Sequence, residues 1–128
     1  MRLLDTVVLI GSLNPQDPLH RRSADHLNRV TREPDVLVPA VSILEADLIM
    51  KIRGYTYDER RSTWQALDHK IPADKLLANQ ISTIHAALPL QENGMDYFDS
   101  LITSLALRHN ATVVTTDRVI KKVAKSEW

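Results

Sequence analysis

Hydrophobic and polar positions change period several times along the chain, and each change predicts an element. Arg2–Leu4 reads as a short buried strand, and Thr6–Leu13 as a helix that stops at Asn14 and Pro15. After the polar loop 14–18, "HRRSADHLNRV" spaces Leu19, Ala24, Leu27 and Val30 as the apolar stripe of a second helix. Pro34 breaks the chain before a second strand at 36–38. Pro39 then suits the first turn of a helix that runs to about Arg53, with Gly54 as its stop. Further helices are expected at 58–69 and 74–88, joined by a short extended piece around Ile71 and Pro72. Beyond "ENG", a helix over 97–109 ends at Asn110, and "TVVTT" (112–116) is the clearest strand, followed by a short C-terminal helix.

Strands alternating with helices imply parallel crossovers, so the expected fold class is α/β: a three-layer α/β/α sandwich around a central, mainly parallel sheet. Its 128 residues suit one domain, 1–128. Ligands of such sheets bind beyond the carboxyl ends of the strands.

Composition narrows the chemistry. Hydrophobic residues are 44% and charged residues 25% of the chain, a proportion suited to a folded domain. Apolar runs are too short for a membrane span, and a cytoplasmic location is expected. Cysteine is absent, which excludes disulfides, zinc thiolates and Cys nucleophiles. Lys plus Arg equals Asp plus Glu at 16 each, so overall charge does not point to nucleic acid. Local basic patches occur at Arg21/Arg22, at Arg60/Arg61 and in the tail with Arg118, Lys121, Lys122 and Lys125. Each is ordinarily a solvated helix face. His20, His26, His69, His85 and His109 share no ligand spacing and are expected at polar surface positions. Trp64 is expected to pack in its helix, and Trp128 at an intermolecular contact.

Acids stand out against this background. "LLDTVVLI" places Asp5 directly after the first strand, inside an apolar run where an unpaired carboxylate is costly. Asp117 directly follows the last strand, on the same edge. At about 100° per residue, Glu45 falls among Val41, Leu48 and Ile52 and is expected in the middle of a buried helix face, while Asp47 turns to solvent. In the helix over 97–109, Asp99 falls with Ile102, Thr103 and Ala106 on the inward side, opposite a polar arc of Ser100, Ser104 and Arg108. Bland roles exist: Asp5 as an N-cap, Asp117 in an Asx-turn, Asp99 as a helix-dipole partner, and Glu45 in a buried ion pair. No basic residue is patterned to neutralise several acids at once, so a cluster around a cation is the simpler account. Carboxylate oxygens without Cys or patterned His select a hard ion, Mg²⁺ or Mn²⁺.

"LLDTVVLI", "VSILEADLI" and "YFDSLITSLALRHNATVVTTD", in that order, resemble the PIN domain, and most closely its small VapC-type toxins. The resemblance spans nearly the whole chain, although 14–32 and 55–88 carry no family-specific match. It implies that Asp5, Glu45, Asp99 and Asp117 form the family's acidic quartet, supported by Thr6 and Thr115, with Asp96 in reserve. It further implies metal-dependent hydrolysis of RNA to a 5′-phosphate and a 3′-hydroxyl, a homodimer and, for a toxin, a cognate antitoxin. Two rivals stand beside this reading. One is a non-catalytic PIN-like module that binds RNA or protein. The other is a Mg²⁺-binding signalling receiver domain, disfavoured because the first strand lacks an acidic pair and the last lacks a closing lysine.

Overall fold

A computed structural model describes Met1–Trp128, all residues of the chain. Five strands, β1 (Arg2–Leu4), β2 (Val36–Pro39), β3 (Leu76–Leu77), β4 (Thr112–Val114) and β5 (Ser126–Glu127), form one sheet in the order β3-β2-β1-β4-β5. Every adjacent pair is parallel, with Leu3 opposite Leu37 and Val113, and Leu4 opposite Val114. Seven helices connect and cover the strands: α1 (Thr6–Leu13), α2 (His20–Arg29), α3 (Ala40–Ile52), α4 (Tyr57–Asp68), α5 (Ile81–Glu92), α6 (Tyr97–His109) and α7 (Arg118–Val123). The α/β/α expectation therefore holds.

Strand alternation divides the core in two. Leu3 and Val113 pack with Leu101, Ile102 and Leu105 of α6, Ala87 of α5 and Ile120 of α7. Their neighbours Leu4 and Val114 join Val8 and Leu9 of α1, Leu27 of α2 and Leu67 of α4 on the other face. Chain order runs from β1 out to β3 on one side, then returns to β4 and β5 on the other. The order thus reverses between β1 and β4, which is where an open α/β sheet forms its crevice.

Several boundaries match the hydrophobic pattern closely: α1 and α6 begin and end where it places them, and Asn110 closes α6 in the left-handed conformation at φ 48°. Others need correction. The stretch expected as a helix from Asp74 begins as a 3₁₀ turn (Ala73–Lys75) and the edge strand β3, because pairing of Leu76 and Leu77 with Val38 and Pro39 overrides helix propensity. The extended piece expected at Ile71–Pro72 thus lies a few residues later, and α5 starts at Ile81. β4 ends at Val114 rather than Thr116, and β5 carried too little periodicity to be seen.

Three faces also differ from the helical-wheel expectation. In α3 the buried positions are Val41, Ser42, Ala46 and Met50, whereas Leu44, Leu48 and Ile52 are 65%, 41% and 74% exposed. Glu45 therefore sits at the margin of the buried face, not at its middle. Asp47 is not free in solvent: it accepts from Arg60 (Nη2, 2.6 Å) and from Trp64 Nε1 (2.8 Å). In α6, Ser100 and Ser104 are buried beneath α5, where Ser104 donates to the Thr83 carbonyl (2.9 Å) and Gln91 donates to Ser100 (3.0 Å). Sandwiching between α5 and the sheet leaves α6 little outer face. His26 is likewise buried rather than superficial, its ring 5.3 Å from that of Trp128, which is itself partly buried against the core.

α1 and α2 cross at Gly11, where a Cβ would stand 2.3 Å from Ser23 Oγ and 2.9 Å from Ser23 Cβ. Ser23 is fully buried, so the helices themselves would have to separate. Gly11→Ala is expected to destabilise the fold by about 1–3 kcal/mol, the usual cost of overpacking. Denaturant unfolding measures it, and Ser23→Gly in the same chain should recover part of the loss.

Candidate active site: an acid-lined cleft at the switch point

The cleft is built from chain segments that leave the carboxyl ends of β1 and β4. Asp5 follows Leu4 and continues the ladder, its amide donating to the Val114 carbonyl (3.2 Å). The next residue starts α1, so Asp5 is an N-cap: its Oδ1 accepts from the Thr6 amide at 2.7 Å. Its Oδ2 accepts from Thr115 Oγ1 at 2.6 Å, and the same hydroxyl accepts from the Asp117 amide at 2.9 Å. Thr115 thereby ties the ends of the two central strands together. Asp117 caps α7, and both amide contacts, from Val119 (2.7 Å) and Ile120 (2.9 Å), fall on Oδ1. Its Oδ2 has no hydrogen-bond partner.

Glu45 and Asp99 arrive from the flanks, half-buried, on α3 and in the first turn of α6. With Asp5, Thr6, Thr116 and Asp117 they line one cavity of about 330 Å³. The four acids picked out in the sequence are therefore brought together. Thr6 lies in the lining and donates to the Ser42 carbonyl (3.4 Å), which tethers α1 to α3 beside Glu45. Thr115 is fully buried and acts from behind the cavity. Asp96 is exposed at the N-cap of α6, makes no capping bond and is not part of the lining. Thr116, Asp17 and Arg53 also border the cavity, and sequence reading missed them. Only Arg53 left a trace, four residues beyond Ile49 and eight beyond Glu45.

Electrostatics follow from this crowding. Burial pushes the Asp5 carboxyl up from its ordinary value, against the opposing pull of the Thr115 and Thr6 hydrogen bonds, and the Asp117 charge adds to the rise. Glu45 is raised by burial, opposed by the neighbouring Thr6 hydroxyl, and raised again by Asp5, Asp96 and Asp117. Asp99 is pushed up to about 7 by burial and then by the charges of Asp117, Asp5, Glu45 and Asp96. No arginine, lysine or histidine figures among these influences. The buried-ion-pair account of Glu45 therefore finds no partner.

The donors are all oxygens, from carboxylates and threonine hydroxyls, which is the set a hard divalent ion takes. As the chain stands, no three of the acids converge into a ready-made ligand group. An ion held there would be bound through one or two of the carboxylates, a mode Mg²⁺ commonly takes, with water completing its shell. A larger hollow of about 450 Å³ lies under α4 against Ile43, Trp64, Leu67, Ile71 and Leu76, but it is mostly apolar and gathers no acid cluster. Size does not decide where the chemistry sits; the converging titratable groups do.

This fold and cleft define a class of α/β domain that concentrates acids at the carboxyl edge of a parallel sheet. Within it, the model of the PIN domain matches residues 2–126, and the chain belongs to that family, whose members are generally nucleases. The receiver-domain rival falls with that assignment. Solved structures agree on the fold. The VapBC2 structure from Rickettsia felis, bound to a DNA fragment from its promoter, contains a chain that aligns at TM-score 0.74 and 15% identity, covering 99% of this chain and 98% of that one. FitAcB from Neisseria gonorrhoeae aligns at TM-score 0.72 and 20% identity, over 98% and 96%. A toxin–antitoxin complex from Klebsiella pneumoniae aligns at 0.69 and 15%, over 100% and 97%. No curated protein sequence matches the chain.

The raised carboxyls set a pH dependence with a definite sign. A native-state pKa above the unfolded value means the folded chain binds more protons, so the stability these groups contribute is full below about pH 4 and is lost as pH rises toward about 7. In chelator, thermal stability should therefore decline between about pH 5 and 8. Asp99→Asn should flatten that slope and melt higher than the parent at the alkaline end. Melting curves of both proteins across pH measure this; parallel slopes would show that the Asp99 carboxyl is not raised in the fold.

Proposed function

We propose that the chain is a divalent-metal-dependent endoribonuclease, with Asp5, Glu45, Asp99 and Asp117 as its active-site acids and Mg²⁺ or Mn²⁺ as cofactor. The observation that carries this reading is the convergence of acids from four segments on one cleft at the β1/β4 switch point, with no basic group in an ion pair with any of them. Metal bound there would lower the pKa of a water and stabilise the charge developing on the scissile phosphate. The rest falls to the chain. Asp5 is held by Thr115 and the Thr6 amide, so its remaining lone pairs face the cleft without a free rotamer. Asp117 spends one oxygen on capping α7 and keeps the other for the site. Glu45 and Asp99 complete the wall from α3 and α6, and their half-burial limits the water that would compete for the phosphate. Water attack at phosphorus breaks the bond to the 3′ oxygen, leaving a 3′-hydroxyl and a 5′-phosphate.

The biological setting that goes with this reading is the toxin of a toxin–antitoxin pair. It is supported by the family and by the likeness to VapBC2, FitAcB and the Klebsiella pneumoniae complex. It brings with it an antitoxin partner, a homodimer of one-domain chains and a cytoplasmic location, where RNA is the available substrate. No helix is long and apolar enough to cross a membrane. A second reading, an RNA- or protein-binding module without hydrolysis, draws on one observation: no three acids stand in ligand geometry.

Incubation of the purified chain with mixed RNA and with single-stranded DNA, in Mg²⁺, Mn²⁺ or chelator, separates the two. Cleavage of RNA that stops with chelator is expected, and binding without cleavage under every metal selects the module. Asp5→Asn is expected to abolish cleavage, a loss of 100-fold or more by the ordinary scale of removed transition-state stabilisation. Asparagine caps a helix as well as aspartate, so the variant should fold and, in chelator at neutral pH, melt no lower than the parent. A variant that cuts RNA at the parental rate removes Asp5 from the chemistry.

A further inference from the structure

The cleft is not acidic throughout. Along α3, Glu45, Ile49 and Arg53 follow one another at four-residue intervals and all border the cavity, so the stripe runs about 12 Å from the acids to its outer lip. Val7 and Ile10 of α1 border the same stretch. Along α3, then, acid gives way to an apolar residue and then to the cavity's one basic residue, while Asp17 of the loop after α1 also borders the cavity.

Arg53 is exposed at the C-cap of α3, and its side chain makes no ion pair and no hydrogen bond, unlike Arg2, Arg29, Arg60 and Arg61, each of which holds a carboxylate. Pairing with the cleft acids is the role that position invites, yet Arg53 is in no ion pair with any of them. Its charge is unspent.

Resting on the reading of the cleft as an RNA-cutting site, we infer that Arg53 is a substrate-binding residue: it holds a backbone phosphate of the RNA strand on one side of the scissile bond. A polyanion approaching four acids meets repulsion, and a cation on the same cavity wall offsets it along the path the strand must take. The apolar stretch formed by Ile49, Val7 and Ile10 suits the sugar and base face of the intervening nucleotide. Arginine fits the task better than lysine because its planar fork meets two phosphate oxygens at once. A contact of this kind fixes register and carries no sequence preference.

The test compares the parent with Arg53→Ala and Arg53→Lys, using a short fluorescein-labelled single-stranded RNA of mixed sequence. Binding is followed by anisotropy in chelator across a series of KCl concentrations, and cleavage kinetics are followed in Mg²⁺. Arg53→Ala should fold as the parent does and weaken binding about threefold to fivefold, the range for one exposed charge contact. It should reduce the slope of log K against log salt by about 0.7, the share of one phosphate on a single strand. In cleavage the loss should fall on KM more than on kcat, with Arg53→Lys keeping the salt slope and recovering part of KM. An Arg53→Ala protein with parental salt slope and parental KM, in a preparation that cuts RNA, overturns the assignment of Arg53 and leaves the nuclease reading intact. A parent that cuts no RNA under any metal overturns both.

Discussion

Carboxylates buried beside one another with no basic group in an ion pair with them are the constraint around which this chain is organised. Asp5 is only 6% exposed, Glu45 and Asp99 are half-buried, and the charges that act on each of them are other acids. A fold under selection for stability alone would separate such groups or give each a basic neighbour, as happens elsewhere in the molecule. Arg60 sits on Asp47, while Arg2 bridges Asp35 and Glu127. The chain has arginines to spare and does not bring them into contact with these acids.

The scaffold enforces the crowding through its least negotiable elements. Asp5 and Asp117 follow β1 and β4, which lie side by side at the centre of the sheet with Leu3, Leu4, Val113 and Val114 sealed on both faces. The Thr115 hydroxyl then links the two acids, donating to one and accepting from the amide of the other. Moving either acid away would mean breaking the central strand pair or uncapping a helix. Capping is thus compatible with the active-site role proposed for Asp5 and Asp117. The cap bonds fix the carboxylates in place, and the lone pairs left over face the cleft.

Much of this was legible in the sequence because it depends on local signals. Strand-then-acid at Asp5 and Asp117, the ends of α1 and α6, and the αβ alternation are all written in neighbouring residues. Where tertiary contacts decide, local patterns misled. α3 presents two apolar stripes, and only packing chose Val41, Ser42, Ala46 and Met50 over Leu44, Leu48 and Ile52. Glu45 reached the cleft all the same, because the margin of the buried stripe faces it. Ser100 and Ser104 read as surface until α5 covered them, and β3 exists only because β2 is there to pair with it. Arg53 could not be distinguished from any exposed arginine until the cavity was in view.

Helix termini relieve part of the acid repulsion, and their magnitude shows why they cannot relieve all of it. Asp5 and Asp117 are N-caps and Asp99 lies in the first turn of α6, so three of the four acids meet the positive ends of helices. Each such placement is worth about 0.3–1 kcal/mol, up to about 2 when partly buried. Desolvating a carboxylate costs several kcal/mol per ion, and the repulsion of neighbouring acids adds to that. The helices therefore fall short, as the upward shift of Asp99 to about 7 reflects. Glu45, well inside α3, receives no such help. A divalent cation bound in the cleft, as proposed above, would supply a larger counter-charge than the helix termini do, and of the kind an oxygen-only donor set can accept.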